Sequence, residues 1–332
     1  MSERIAEVIE LNLEKCPNSD NLSIQKVEGF QLIVRTEDWK DHKLAVFIRA
    51  DEIVDTNRPE FSWLKQEGKE KHRVRTRKYL GMYYSHGILV PAPDGAKVGD
   101  NLYEQLGLEH YNPPEPGQSG PKFGGSGRNV KAPPIFSCLS KYDIENARGK
   151  YRNMFIEGET VWVQHKLNGS NMSVTFTDGK MHVHSRTMWP EEEETNAFWR
   201  ALNAQPKLIQ FCKERPDWLV YGELIGLLPK YRYDVPEGQV SFRIFDMKRA
   251  DGSWLDSLEL VAACQFNSLL MAPTLGWMDY SFDKMCELAE LPCPLGCKIN
   301  EGIVVRPKKE RVEPKYGRVI GKFVNPLYLE KG

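Results

Sequence analysis

The segment VWVQHKLNGSN, Val161 to Asn171, alternates apolar and polar residues up to Lys166 and then meets Asn168 and Gly169, which are turn formers. A lysine at a strand end, followed by a glycine that lets a ligand approach the backbone, is suited to act as a covalent nucleophile. Its handicap is protonation: an amine with a pKa near 10.4 is neutral only about once in 2,500 at pH 7, a cost of roughly 4.6 kcal/mol. A site that uses Lys166 must therefore lower that pKa, and neighbouring positive charge does so. K-x-x-G occurs by chance in many chains, and taken alone a surface lysine would explain it. Five further segments change the weighing. HSRT (His184–Thr187) carries Arg186, 20 residues beyond Lys166. VYGELIG (Val220–Gly226) ends a strand with Glu223 between glycines, and FRIFDM (Phe242–Met247) is a strand with aromatic side chains on both faces. EGIVVRP (Glu301–Pro307) has a carboxylate at the entry of a strand and Arg306 at its exit, and RVIGKFVN (Arg318–Asn325) contains Lys322.

In this order the segments resemble those of the covalent nucleotidyltransferase superfamily, the polynucleotide ligases and mRNA capping enzymes, over about 160 residues. The stretch KYDIENARGKYRNM (Lys141–Met154), the ending NPLYLEKG and the order of the two halves are similar to ATP-dependent RNA ligases with an N-terminal OB-type domain. That resemblance implies a reaction and a set of roles. Lys166 would attack the α-phosphate of ATP, release pyrophosphate and hold AMP as a phosphoramidate. AMP would pass to a 5′-phosphate RNA end, and a 3′-hydroxyl end would then displace it. Arg186 and Lys322 would bind phosphate and stabilise the transferring charge. Glu223 would accept hydrogen bonds from the ribose hydroxyls, and Phe245 would stack on adenine with Asp246 facing the other way. Glu301 would hold Mg²⁺ or Mn²⁺, hard cations suited to carboxylate and phosphate oxygens. The chain departs from many relatives in having His165 before the nucleophile and Asn168 after it. It also has Phe323-Val324 after Lys322, where a second lysine is common; Lys315 is the candidate substitute.

The elements that must position these residues fall into two halves. Residues 112–134 hold six prolines and five glycines in 23 positions, which neither a helix nor a central strand tolerates. The expected organisation is an OB-like nucleic-acid-binding domain over 1–111, a linker over 112–134 and an adenylyltransferase domain over 135–332. Short strand patterns at Ile5–Leu13, Leu22–Val27, Gln31–Arg35, Leu44–Ile48 and Gly87–Val90 suggest a small β-barrel for the first half. Its stretches Cys16–Gly29 and Lys78–Pro91 are loosely similar to the barrels of tRNA-binding modules. Within it KEKHRVRTRK (Lys69–Lys78) sets Lys69, Lys71, Arg73, Arg75 and Arg77 at alternate positions, so an extended strand would show five cations on one face. Tyr79, Tyr83 and Tyr84 follow. A solvated edge strand explains such a run as well as RNA binding does, and Lys71, Arg73, Arg75 and Arg77 are the candidate RNA contacts. In the second half strand patterns at 160–166, 172–177, 182–185, 219–223, 240–246 and 302–306 mix with helical ones at 194–214 and 258–270, an α+β order of antiparallel sheets with flanking helices, ATP-grasp-like by resemblance.

Composition bounds the rest. With 41% hydrophobic and 27% charged residues and a net charge of −1, the chain is globular and any contact with RNA comes from local basic surface. It has no apolar run of membrane length and no basic-then-apolar leader, so a cytoplasmic monomer without membrane contact is the expectation. Seven scattered cysteines suit reduced thiols, and the Cys293/Cys297 spacing is a poor zinc pattern. His182 and His184, two apart on one strand face, read as a partly exposed strand pair before a metal site. A non-catalytic RNA-binding protein with a decayed ligase domain would not need Lys166, Arg186, Glu223, Glu301 and Lys322 together. A tRNA-binding accessory protein leaves the second half unexplained. A DNA ligase or capping enzyme normally places its barrel after the catalytic domain, and ten residues follow Lys322.

Overall fold

The computed structural model describes residues 5–27, 30–80, 83–111, 130–136, 142–186 and 188–329. Most of the expected linker, residues 112–129, lies outside that description, as do Lys141 and Thr187 of the quoted segments. The chain divides into two compact units, residues 1–113 with 148–150 and 325–332, and residues 114–147 with 151–324. Among the described residues no helix is long and apolar enough to cross a membrane.

The first unit consists of short strands: β1 (Glu7–Glu10), β2 (Leu13–Lys15), β3 (Leu22–Val27), β4 (Phe30–Arg35), β5 (Leu44–Arg49), β6 (Glu52–Asp55), β7 (Lys71–Arg73), β8 (Arg77–Tyr79), β9 (Tyr83–Ser85), β10 (Gly87–Pro91) and β11 (Glu109–His110). They pair as β1-β5-β10, β2-β3-β4, β11-β6-β7 and β8-β9, an OB-like set of sheets rather than one closed ladder among the described residues. β5 shows why: it is buried on both faces. Ala45 and Phe47 pack with Ile9, Leu32 and Leu89, while Val46 and Ile48 pack with Val8, Val54, Phe61 and Val90. Side chains that alternate along a strand thus feed two apolar clusters.

The second unit is α+β. Its strands are β12 (Glu145–Asn146), β13 (Thr160–His165), β14 (Ser170–Thr177), β15 (Lys180–Ser185), β16 (Leu219–Ile225), β17 (Ser241–Lys248), β18 (Thr274–Asp279), β19 (Gly302–Pro307), β20 (Val312–Glu313), β21 (Gly317–Arg318) and β22 (Gly321–Val324). They form two main sheets, β15-β14-β16-β17 and β12-β22-β19-β13-β18, antiparallel except where β12 joins β22. The single helix expected over 194–214 is two, α1 (Ala197–Asn203) and α2 (Pro206–Glu214). Proline lacks the N–H that would continue α1, but it suits the first turn of α2. Asn196 caps α1 by accepting from the N–H groups of Phe198 and Trp199. α3 (Ser257–Phe266) opens on a capping box made by Asp256 and Glu259, and α4 (Phe282–Ala289) was not foreseen.

Each sheet buries one face under helices. Met172, Val174, Val183, Val220, Leu224, Phe242 and Ile244 join Trp199, Leu202, Phe211 and Leu260 from α1–α3 in one core. Val161, Val163, Ile303, Val305 and Phe323 join Met285 of α4 in another. Because the side-chain period is two, Asn171, Tyr221, Glu223 and Arg243 lie on the other face of the first sheet, and Trp162, Arg306 and Lys322 on the other face of the second. A register slip of one residue would move each of these groups into an apolar core.

Cys293 and Cys297 form a disulfide, with Cα atoms 5.5 Å apart, which overturns the expectation of uniformly reduced thiols and removes both as zinc ligands. Cys16, Cys212 and Cys264 are buried free thiols.

Candidate active site

Lys166 follows the last residue of β13, and its backbone N–H donates to the carbonyl of Gly302, 2.9 Å away. That bond sets the lysine beside the residue preceding β19. Its Nζ lies 2.7 Å from Oε1 of Glu301, with the lysine side chain 23% exposed. Burial by itself would push the ammonium down, but Glu301 and Glu223 outweigh it and hold the pKa above the ordinary lysine value. The expectation that surrounding cations keep Lys166 neutral therefore fails for the protein alone: in this state the amine is a charged partner of Glu301. Neutralising those carboxylates is what would free it.

Glu223 lies on β16, half-buried, opposite Asn171 and Arg243. Burial pushes its carboxyl up to about 8; Lys166 pulls it down and Glu301 pushes it up. It accepts a hydrogen bond from the backbone of Gly169. A Cβ on Gly169 would meet the carbonyl oxygen of Leu224 at 2.2 Å. The glycine of K-x-x-G is thus required by close contact with β16, not by an open approach for a ligand. Lys322, opposite Val304 on β22, has its pKa lowered by burial and by the charge of Lys166, while Asp143, Glu301 and Glu145 act the other way. Arg186 stands just after β15, exposed, 3.3 Å from Asp143. Lys166, Arg186, Glu223, Glu301 and Lys322 are therefore gathered electrostatically at one place. Asp143, which acts on both lysines and on Arg186, had no role assigned from sequence, because nothing in its spacing ties it to Lys166.

Phe245 sits at a bulge. The register between β16 and β17 shifts after Tyr221, so that Tyr221 faces Asp246 and Gly222 faces Ile244, leaving Phe245 without a partner. Met247 consequently returns to the core beside Phe242 and Ile244. Phe245 and Asp246 then share a face, and the expected opposition of these two residues does not hold. Both touch Tyr142, whose ring centroid is 5.0 Å from that of Phe245 and whose hydroxyl donates to Asp246 at 2.6 Å. Asp246 also accepts from Arg306 at 2.9 Å and Arg318 at 2.7 Å, and Arg318 makes two bonds to Glu310. This buried network ties β17 to β19 and β21.

The metal question turns on Glu301. Its Oε2 is buried with no hydrogen-bond partner, an orphaned acceptor beside the Lys166 amine. A hard divalent cation fits it, provided that phosphate oxygens and water complete the shell, since no group of three His, Cys, Asp or Glu able to hold a metal occurs among the described residues. His182 and His184 are buried rather than partly exposed, with rings 6.1 and 4.7 Å from that of Trp189, and burial pushes His184 down to about 4. Lys315 is exposed over the ring of Tyr316, in the turn between β20 and β21.

The cationic segment of the first unit is only partly as expected. Val74 and Thr76 are buried between exposed Arg75 and Arg77, so alternation persists, but strand structure breaks at 74–76. Lys71 pairs with Glu109 at 2.6 Å. Arg73 makes two bonds to Oδ1 of Asp51 and lies 3.7 Å over the ring of Tyr111. Both are engaged within the unit. Burial lowers the pKa of His72, and so do Arg77, Arg75 and Lys69, which places those three cations around it.

An RNA ligase family model matches residues 159–324, half of the chain, and an OB-fold domain model matches residues 5–92. Solved structures of Naegleria gruberi RNA ligase are similar over the whole length. A lysine-to-alanine mutant with ATP and Mn aligns at 22% identity and a TM-score of 0.74, covering 99% of this chain and 99% of that one. An apo mutant gives the same identity and TM-score over 99% and 98%, and a form with PPi gives 22% and 0.72 over 99% of both chains. At this identity the likeness establishes a shared fold. No curated protein matches the chain.

Proposed function

The chain belongs to the RNA ligase family, and from that premise we propose that it seals RNA with ATP, joining a 5′-phosphate end to a 3′-hydroxyl end through AMP carried on Lys166. The observation that carries this reading is the contact between Lys166 Nζ and Glu301, with Glu223 and Lys322 acting on the same amine. That the similar Naegleria structures include one with ATP and Mn supports ATP as the AMP donor and a divalent cation as its companion.

The neutral Nζ of Lys166 forms a bond to the α-phosphorus of ATP as the bond to the bridging oxygen breaks and pyrophosphate departs. Arg186 and Lys322 bind the phosphate oxygens and stabilise the charge that builds on them. Glu223 holds the ribose hydroxyls; Phe245, projected from the bulge, stacks on adenine. A Mg²⁺ or Mn²⁺ ion held by Glu301 would supply Lewis-acid charge and draw that carboxylate away from the lysine ammonium. The AMP then moves to the 5′-phosphate of RNA, and the 3′-hydroxyl displaces it. The test is retention of label from α-labelled ATP on the denatured chain, followed by sealing of matched RNA, DNA and mixed nicked duplexes. A chain that neither labels nor seals is an RNA-binding module instead.

Charging depends on pH with a definite sign. Only the free amine attacks, and Glu301 and Glu223 hold Lys166 protonated above the ordinary lysine range. At limiting ATP, where the pH profile reports the free protein, the rate of adenylate formation therefore rises with pH, approaching tenfold per unit below that range. A flat profile from pH 6 to 8 would show that deprotonation of Lys166 does not limit charging.

We propose that RNA is gripped by Arg75 and Arg77 with Lys69, while Lys71 and Arg73 serve the fold of their own unit. Charge reversal at Arg75 and Arg77 should weaken RNA binding and lower its salt slope by roughly two, leaving self-adenylylation intact. Arg73→Glu, by contrast, breaks the bonds to Asp51 and should lower thermal stability. Loss of charging in the Arg75/Arg77 variant would assign those residues to the core fold.

A further inference from the structure

Two tyrosines bracket the turn that follows the nucleophile. The hydroxyl of Tyr233 accepts the backbone N–H of Asn168 at 2.5 Å, and the side chain of Asn168 bonds to the hydroxyl of Tyr231. The two rings stand 6.3 Å apart. Tyr233 has a φ of +57°, a left-handed conformation that a bulky side chain adopts only where the surroundings over-determine it. It packs against Leu167, Ile225 and Val235, so the residue next to Lys166 and the tyrosine whose hydroxyl holds the following N–H belong to one packed cluster. Glu301 acts on both phenols and Glu223 on that of Tyr233, which puts the pair beside the two carboxylates flanking Lys166.

Lys166 is fixed from one side by its backbone bond to Gly302. The far end of the turn is fixed at Gly169, which donates to Glu223 and packs against Leu224. Between these two points the backbone of Asn168 is held by Tyr233, and without that bond the middle of the turn could rotate the amine away from an incoming phosphorus. We infer that Tyr233, assisted by Tyr231, is a positioning residue for nucleophilic attack, clamping the Asn168 turn so that the Lys166 amine is held in line with the nucleotide phosphate. The clamp acts through the backbone of Asn168 and touches no reacting atom. It rests on the ligase reading, and it concerns only the step in which Lys166 attacks. Transfer from an already adenylylated RNA end needs the same fold but no attack by the lysine.

That difference supplies the test. Tyr233→Phe keeps the ring and its packing and removes one acceptor; Tyr231→Phe does the same for the side-chain bond. For each, adenylate formation from α-labelled ATP is measured in single turnover across ATP concentrations, and sealing of a nick with a pre-adenylylated 5′ end is measured without ATP. In Tyr233→Phe the maximal charging rate should fall about 10- to 100-fold, the loss expected of a misplaced reacting group, with the half-saturating ATP concentration and pre-adenylylated sealing unchanged. Tyr231→Phe should show the same pattern more weakly. Equal losses in charging and sealing would make the clamp a general structural feature and overturn the inference, as would a loss confined to ATP affinity. A wild type that labels beside an unaffected Tyr233→Phe overturns the inference alone. A wild type that takes no label overturns the ligase reading, and the inference with it.

Discussion

Lys166→Ala should leave no label on the denatured chain after incubation with Mg²⁺ and α-labelled ATP, at a sensitivity where the wild type labels fully. The other nearby amine is Lys322, whose charge acts on Lys166 and whose own pKa is lowered by burial. Lys322 is therefore the less protonated of the two, and pKa alone would nominate it as the nucleophile. Position argues otherwise. Lys166 stands at a strand end on a turn held by Gly302 and Tyr233, whereas Lys322 lies within β22, paired with Val304 on one side and Asn146 on the other. Mid-strand placement suits a fixed charge that binds phosphate, not a group that must meet the phosphorus and release it. Label persisting in Lys166→Ala and lost in Lys322→Ala would reverse the assignment. The loss in Lys166→Ala should be complete, since an alanine offers no nucleophile to retain AMP.

The second large effect is on stability. Asp246 is fully buried and compensates two arginines, Arg306 with a side chain 2% exposed and Arg318 with one 14% exposed. Burial alone would raise its pKa, but Arg318, Arg306 and the Tyr142 hydroxyl hold it below the usual carboxylate range. Asp246→Ala leaves the two arginines to share Glu310, 3.6 Å from Arg306 and 2.7 Å from Arg318. Stripping one member from a buried pair of this kind costs about 3–5 kcal/mol. In a domain of this size that corresponds to a fall in melting temperature of roughly 10 °C. Arg306 has two further nitrogens buried without partners, and the other carboxylate paired with it, Glu310 at 3.6 Å, is already engaged by Arg318. A melting temperature within experimental error of the wild type would show that the network carries no net stability. The sign with pH follows from the lowered pKa: the stabilisation is present above the ordinary aspartate value and is lost as pH falls through the depressed one.

Much of this organisation was legible from local pattern. The strands β3, β13 and β16 begin where the apolar alternation begins, because a two-residue period with one face buried allows a single register. The same alternation carries Glu223, Arg306 and Lys322 away from the helix-covered faces. Legibility stopped where partners come from distant segments. Arg73 read as one of five equivalent cations, and only Asp51 and Tyr111 distinguish it from Arg75. The bulge at Phe245 is invisible in FRIFDM, since an extra residue is defined by the neighbouring strand rather than by its own sequence. Tyr233 lies 65 residues from the N–H it holds.

By itself, the sequence determined the order of the motif segments and the strand period that carries Glu223, Arg306 and Lys322 off the helix-covered faces, and its resemblance to the ligases nominated Lys166 as the nucleophile. Tertiary structure alone decided the state of that amine. Glu301 reaches Lys166 only because β13 and β19 are neighbours in one sheet, and Glu223 because a second sheet is brought alongside. Charge state depends on distance in a poorly screened interior, and such distances are set by how the sheets meet rather than by spacing along the chain.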